Sequence, residues 1–237
     1  MTLEELTTYL LGICKENNYR KVYICGNGSS GKTTLSKSLY NKASAIGICN
    51  LISLDDYLVD ITLRKNSIYT WYENDKKYQG RYTSSCKESY DLKSVYALLY
   101  NLDNGLDTYY FPLRYQEKHN IRRLYANYTL TVLEGVGTIF LDKNDNESLT
   151  ILLECSKELE IKRRSKRTKE LNRDISENFD EVRSREYRVN VLSQKDTFSL
   201  IINSDEKYQY HLVGGKLLSG EIKKTDISQG NYLFLNN

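Results

Sequence analysis

The sequence predicts an α/β fold, a doubly wound parallel sheet flanked by helices. Three observations predict it. Apolar runs suited to strands fall at 21–25, 49–53, 130–133, 149–154 and 198–202, mostly continuous, as expected of strands covered on both faces. Helical periodicity separates them, at 32–45, about 91–103, about 156–170 and about 177–193. A glycine-rich octapeptide, Gly26-Asn27-Gly28-Ser29-Ser30-Gly31-Lys32-Thr33, joins the first strand to the helix that follows.

Taken in order, the chain opens on Met1-Thr2-Leu3-Glu4-Glu5, acidic where a signal peptide needs a basic start. An amphipathic helix to about Lys15 is expected, with Leu3, Leu6, Leu10 and Ile13 on one face. Lys21-Val22-Tyr23-Ile24-Cys25 then reads as a strand, and Leu35 and Leu39 mark the apolar face of the next helix. The octapeptide between them fits G-x-x-x-x-G-K-S/T, the phosphate-binding P-loop, which places the fold in the P-loop NTPase class. Glycines at 26, 28 and 31 free the backbone so that successive N–H groups can face phosphate oxygens. The helix adds the positive end of its dipole. Lys32 would reach the β- and γ-phosphates, and the Thr33 hydroxyl would ligate Mg²⁺.

Leu51-Ile52-Ser53-Leu54-Asp55-Asp56-Tyr57 ends the second strand in two carboxylates. One of them could accept a proton from an attacking hydroxyl, contact Mg²⁺, or do both. A solvated turn after a strand would carry Asp as well. Residues 57–129 are too long for a simple crossover and fall where insertions in parallel sheets shape a second substrate's site. The aromatics there could equally pack a subdomain core. Thr129-Leu130-Thr131-Val132-Leu133-Glu134-Gly135 is a strand ending in an acid, the place of a Walker B group holding Mg²⁺. Lys162-Arg163-Arg164-Ser165-Lys166-Arg167, with Arg173 beyond, puts arginines on a helix that can close over the γ-phosphate as a lid, spanning 156–176. A solvated basic face with Glu160 and Arg164 as an i, i+4 pair is the plainer alternative. Residues 206–237 read as a small C-terminal β appendage, with a hairpin turn at Val213-Gly214-Gly215-Lys216.

Composition narrows the classes. Lysine and arginine exceed the acids by 34 to 31, too small a surplus to argue for nucleic acid. No apolar run approaches a membrane span. Five cysteines without C-x-x-C spacing argue against disulfides or zinc and for a reducing, cytoplasmic setting. No repeat or linker interrupts residues 1–237, so a single domain is expected, with homo-oligomerisation open. Proline occurs once, and 21 tyrosines follow from no chemical requirement visible in the sequence.

These elements in this order resemble the uridine kinase family of P-loop kinases over about residues 20–205. The resemblance implies ATP and Mg²⁺ as cofactors and a small-molecule alcohol, a nucleoside such as uridine or cytidine first, as acceptor. The loop, closed by Thr33 and Thr34, resembles that family's G-x-S-x-x-G-K-T-T. Ser53-Leu54-Asp55-Asp56-Tyr57 resembles its S-x-D-x-F/Y element, which would make Asp55 the base. Tyr90-Asp91 resembles its acceptor-binding aromatic-aspartate pair, and Glu134-Gly135 its metal element. Arg163-Arg164-x-x-Arg167 resembles its lid, where the arginines touch acceptor and phosphates. Near Pro112 two alignments compete: one places Tyr115 in the acceptor site, the other Arg114 and His119. Thr168 stands where the family's lid has aspartate, and Leu171-Asn172-Arg173-Asp174 replaces its R-G-R, so the departures gather on the acceptor side.

Two rival classes differ in their requirements. A GTPase switch needs N-K-x-D, to which Asp142-Lys143-Asn144-Asp145 is only a near match. A kinase of nucleic-acid 5′ hydroxyls needs a basic groove that the charge balance does not offer.

Overall fold

The computed structural model describes residues 1–111, 121–143, 147–170, 177–207 and 209–219, with backbone alone at 167–170, 177–180 and 219. In chain order the first elements are α1 (Leu3–Glu16), β1 (Lys21–Cys25), α2 (Lys32–Ser44) and β2 (Cys49–Ser53). The insertion follows with α3 (Ile61–Asn66), β3 (Ile68–Glu73), β4 (Lys76–Arg81), α4 (Leu92–Asp103), β5 (Thr108–Tyr110) and β6 (Arg122–Leu124). The chain then resumes as β7 (Leu130–Glu134), β8 (Ser148–Cys155), α5 (Lys157–Glu170) and α6 (Glu177–Asn190). It continues through β9 (Leu200–Ser204) and β10 (Tyr210–Gly214) to α7 (Lys216–Ser219).

The main sheet has six strands in the order β10-β9-β8-β1-β7-β2. All neighbours pair in parallel except β9 and β10. Alternate side chains of β1 explain why its run is apolar throughout. Val22 and Ile24 pack with Leu6 and Leu10 of α1 and Leu35 and Leu39 of α2. Tyr23 points the other way, toward Val95, Leu98 and Leu102 of α4, while Cys25 meets Tyr187 of α6 and Val191 just beyond its end. Each such aliphatic side chain contributes about 1.5–3 kcal/mol on burial. The helix expected to about Lys15 starts at a capping box: the Thr2 hydroxyl accepts from the Glu5 N–H at 3.2 Å, and the Glu5 carboxylate from the Thr2 N–H at 2.8 Å. The five cysteines form no disulfide in this structure.

Two expectations need correction. The last parallel strand begins at Leu200, not 198, because a 3-10 turn over Leu192–Thr197 runs up to Phe198. The hairpin turn expected at Val213-Gly214-Gly215-Lys216 lies earlier, between Ser204 and Tyr210, so that β10 joins the main sheet as an antiparallel edge. Gly215 (φ 115°) instead starts α7, where a Cβ would stand 2.4 Å from the Ser199 carbonyl oxygen. Among the described residues, no helix is long and apolar enough to cross a membrane.

The insertion holds a hairpin the sequence reading missed. Strands β3 and β4 pair antiparallel around Asn74 (φ 51°) and Asp75 (φ 60°), the double positive φ of a type I′ turn. Its inner face stacks Trp71 on Tyr78 at 5.6 Å and Tyr69 on Tyr82 at 5.0 Å. This face packs on α6, where Arg185 lies 4.3 Å over the Trp71 ring. Glu186 of α6, 1% exposed, accepts from the Tyr69 hydroxyl at 2.5 Å, the Thr83 N–H at 3.1 Å and the Thr83 hydroxyl.

Candidate active site

Parallel pairing brings the carboxyl ends of β1, β2 and β7 side by side: Ser53 and Ile24 are both in register with Glu134. β1 lies between β7 and β8, so the chain leaves it at the point where strand order reverses, the usual ligand crevice of open α/β sheets.

The loop from Gly26 to Gly31 has the strained backbone its motif requires. Gly26 takes φ 149°, and a Cβ there would stand 2.0 Å from the Leu153 carbonyl oxygen. Gly31 takes φ 105° as it opens α2. Gly28 differs from expectation. It has no left-handed backbone; Ser29 takes that conformation (φ 64°), and Gly28 instead leaves room for the Arg183 guanidinium, whose Nη2 would lie 2.2 Å from a Cβ. Lys32, the first residue of α2, is buried and donates to the Asn27 carbonyl at 2.7 Å. Its ammonium thus bends back over the loop. Ser30 is fully buried without a hydrogen-bond partner for its hydroxyl. Thr33 and Thr34 are exposed on the first turn of α2.

Glu134 ends β7 almost fully buried. One of its oxygens accepts from the Ser53 hydroxyl at 2.9 Å and from the Thr33 hydroxyl at 3.3 Å. Burial raises its pKa, opposed by the Lys32 charge and assisted by that of Asp55. Glu134 thus gathers the Thr33 and Ser53 hydroxyls around a buried carboxylate, hard oxygens of the kind that suit Mg²⁺. Among the described residues no group of three His, Cys, Asp or Glu gathers.

Asp55 and Asp56 part company in the 3-10 turn over Leu54–Tyr57. Asp56 accepts a hydrogen bond from the Tyr110 hydroxyl and so fixes the insertion to the sheet edge. Asp55 lies toward Glu134, beside Gly135, where a Cβ would lie 3.6 Å from the Asp55 nitrogen and 3.2 Å from Leu54 Cβ. The Asp55 charge acts on both Glu134 and Tyr90.

The acceptor pair has structural duties. Tyr90 is buried, donates to the Ser84 carbonyl at 2.7 Å, and has its hydroxyl pKa raised by burial and by Asp55. Asp91 caps α4, accepting from the Ser94 N–H at 3.2 Å and its hydroxyl at 2.6 Å. Arg163 reaches the loop, donating to the Ser29 carbonyl at 3.3 Å, and also binds Ser204 and the Asp205 carbonyl. Arg164 pairs with Glu160 at 3.8 Å. The backbone of Arg167 continues α5. Tyr115, Arg114, His119 and Arg173, as well as residues 220–237, lie outside the described residues.

Three residues at the loop escaped the sequence reading as site members: Arg183, Glu160 and Ser204. Arg183 donates to Asn27 Oδ1 at 2.9 Å across a sequence separation of 156 residues, so no local signal marks it.

No family model matches the chain, and no curated protein matches it in sequence. Solved structures do match. D-glycerate 3-kinase from Cryptococcus neoformans var. grubii is 10% identical with a TM-score of 0.56, covering 89% of this chain and 99% of that one. A candidate fructose transport system kinase from a Silicibacter species is 17% identical with a TM-score of 0.48, covering 81% of this chain and 91% of that one. A candidate uridine kinase from Bacillus stearothermophilus is 17% identical with a TM-score of 0.41, covering 70% and 91% respectively. The fold is that of P-loop proteins of α/β class. In particular, it is the fold shared with the D-glycerate 3-kinase.

Proposed function

We propose that this protein is a Mg·ATP-dependent kinase that transfers the γ-phosphoryl group to a hydroxyl of a small molecule. One observation carries the reading. The P-loop with its buried Lys32, the Thr33–Glu134–Ser53 cluster and Asp55 meet at the carboxyl ends of adjacent strands. Mg²⁺, bound by Thr33, Glu134 and Asp55, would supply charge neutralisation at the β- and γ-phosphate oxygens. Asp55 holds the acceptor hydroxyl and takes its proton as the alcohol oxygen bonds to the γ-phosphorus. The bond from that phosphorus to the bridging oxygen breaks, and ADP leaves with the bond's electrons. Lys32 and Arg163 stabilise the charge spreading over the transferred group.

A nucleoside is the acceptor implied by sequence resemblance, and the shared fold adds small hydroxy acids such as glycerate. The burial of Tyr90 and the capping duty of Asp91 favour an acceptor that does not depend on both side chains. Acceptor-stimulated ADP release should be measured over nucleosides, glycerate, sugars, pantothenate-like alcohols and aminoglycosides. A product heavier by one phosphate, identified by mass spectrometry, is the expected result. ADP release that no alcohol stimulates would leave a nucleotide hydrolase or switch in place of a kinase.

A further inference from the structure

We propose that Arg183 contacts the γ-phosphate of the bound triphosphate, with Glu160 as its positioning residue. The inference rests on the kinase reading above and adds a group outside every motif that led to it. Arg183 lies on α6, past the stretch of basic residues that the sequence marks as a lid. Its guanidinium nonetheless lies against the phosphate loop itself. Nη2 donates to Asn27 Oδ1 at 2.9 Å, and the absence of a side chain at Gly28 admits it, since a Cβ would stand 2.2 Å from Nη2 and 3.2 Å from Cζ.

The end of the triphosphate to which Arg183 belongs follows from Lys32. In a P-loop the lysine reaches the β- and γ-phosphates. Here the Lys32 ammonium binds the Asn27 carbonyl at 2.7 Å, so Asn27 marks the terminal-phosphate end of the loop. Arg183 holds the side chain of that same residue. Two cations therefore converge at Asn27, one from α2 and one from α6.

Glu160 sets the guanidinium in place. Its carboxylate accepts from Asn27 Nδ2 at 2.6 Å and lies 3.6 Å from Arg183 and 3.8 Å from Arg164. The Arg183 and Glu160 side chains are only 12% and 14% exposed. Such a desolvated pair keeps its geometry far better than a surface ion pair. Arginine presents its N–H donors in a planar fork, the geometry that matches phosphate oxygens. An arginine reaching the transferring phosphoryl group from the same chain stabilises the charge spread over its oxygens.

The test separates contact with the γ-phosphate from mere support of the loop. Binding of ADP and of an ATP analogue with an uncleavable β–γ bridge, both with Mg²⁺, is measured on wild type, Arg183→Gln, Arg183→Lys, Glu160→Gln and Lys32→Ala. Arg183→Gln is expected to lose roughly 30-fold in affinity for the triphosphate analogue while ADP binding changes by less than about twofold, as for loss of a charge-assisted hydrogen bond. Arg183→Lys should recover part of the loss, and Glu160→Gln should show a smaller loss with the same triphosphate selectivity. Equal weakening of ADP and analogue would make Arg183 a support of the loop and overturn the proposal. Wild-type affinities for both nucleotides in Arg183→Gln, alongside lost binding in Lys32→Ala, would overturn it and leave the kinase reading intact. A wild-type protein that binds neither nucleotide would overturn both. Should Arg183→Gln fail to fold, the selectivity of Arg183→Lys and Glu160→Gln decides the matter by the same criterion.

Discussion

Around Lys32 the backbone is dictated residue by residue, whereas around Tyr69 the shape is set by side chains that meet from far apart. The phosphate side holds Gly26 and Gly31 at φ 149° and 105°, angles that leave little choice of residue. The insertion has a different logic. Its hairpin is anchored by the Tyr69 hydroxyl on Glu186, a sequence separation of 117 residues, and by the Trp71 ring under Arg185. Many aromatic arrangements could cover that surface, while few sequences can fold the loop. Backbone geometry therefore constrains one half of the crevice, and side-chain packing holds the other.

Substitutions on the two sides should fail in different ways. The largest effect is expected from Asp55→Asn: about a thousandfold loss of phosphoryl transfer with nucleotide affinity kept, as for removal of a general base. Single-turnover transfer and equilibrium ATP binding check it, and full activity in that variant would remove Asp55 from the chemistry. Lys32→Ala should cost about a hundredfold or more in turnover, since one preorganised charge contact is worth roughly 3 kcal/mol. Its unfolding curve should stay close to wild type. On the insertion side the loss should appear as stability instead. Glu186→Ala leaves the Thr83 N–H, the Thr83 hydroxyl and the Tyr69 hydroxyl without their acceptor, at about 3 kcal/mol. Denaturant titration should detect it, and an unchanged midpoint would mean that the hairpin is not held through α6. Asp91→Ala should be the mildest, about 1 kcal/mol from the lost cap of α4. If Asp91→Ala instead abolished transfer at unchanged stability, the residue would belong to the acceptor site, and the contrast between the two halves would narrow.

That contrast also accounts for what was readable in advance. The strand at 21–25 was placed correctly because a central parallel strand covered on both faces is apolar over Val22–Cys25, and the edge strand at 49–53 because Leu51 and Ile52 lie at its centre. The loop was readable because steric demands at Gly26 and Gly31 leave a compositional trace. The hairpin left one too, Asn74-Asp75 between runs rich in tyrosine and tryptophan, but its half-exposed strands lack a continuous apolar signal. The tyrosine excess gains a partial reason. Tyr57, Tyr69, Tyr82, Tyr90 and Tyr110 pack the insertion by ring contact, and those at 69, 90 and 110 also satisfy polar groups with their hydroxyls. Arg183 and Glu160 could not be found this way. Nothing local distinguishes them from other charged helical residues, and only the folding of α5 and α6 onto the loop gives them their place.

Tyr90 has one more consequence. Its ring lies where a Cβ on Gly137 would come within 2.7 Å, two positions past the Gly135 that follows the Glu134 carboxylate. The aromatic wedge thus ties the start of α4 to the bend that presents Glu134, so that neither can be displaced without moving the other. Changes that retune the fit of the proposed acceptor would have to spare this joint, and the outward-facing hairpin, with Ile68 and Tyr72 bare to solvent, is where the molecule has freedom to diverge.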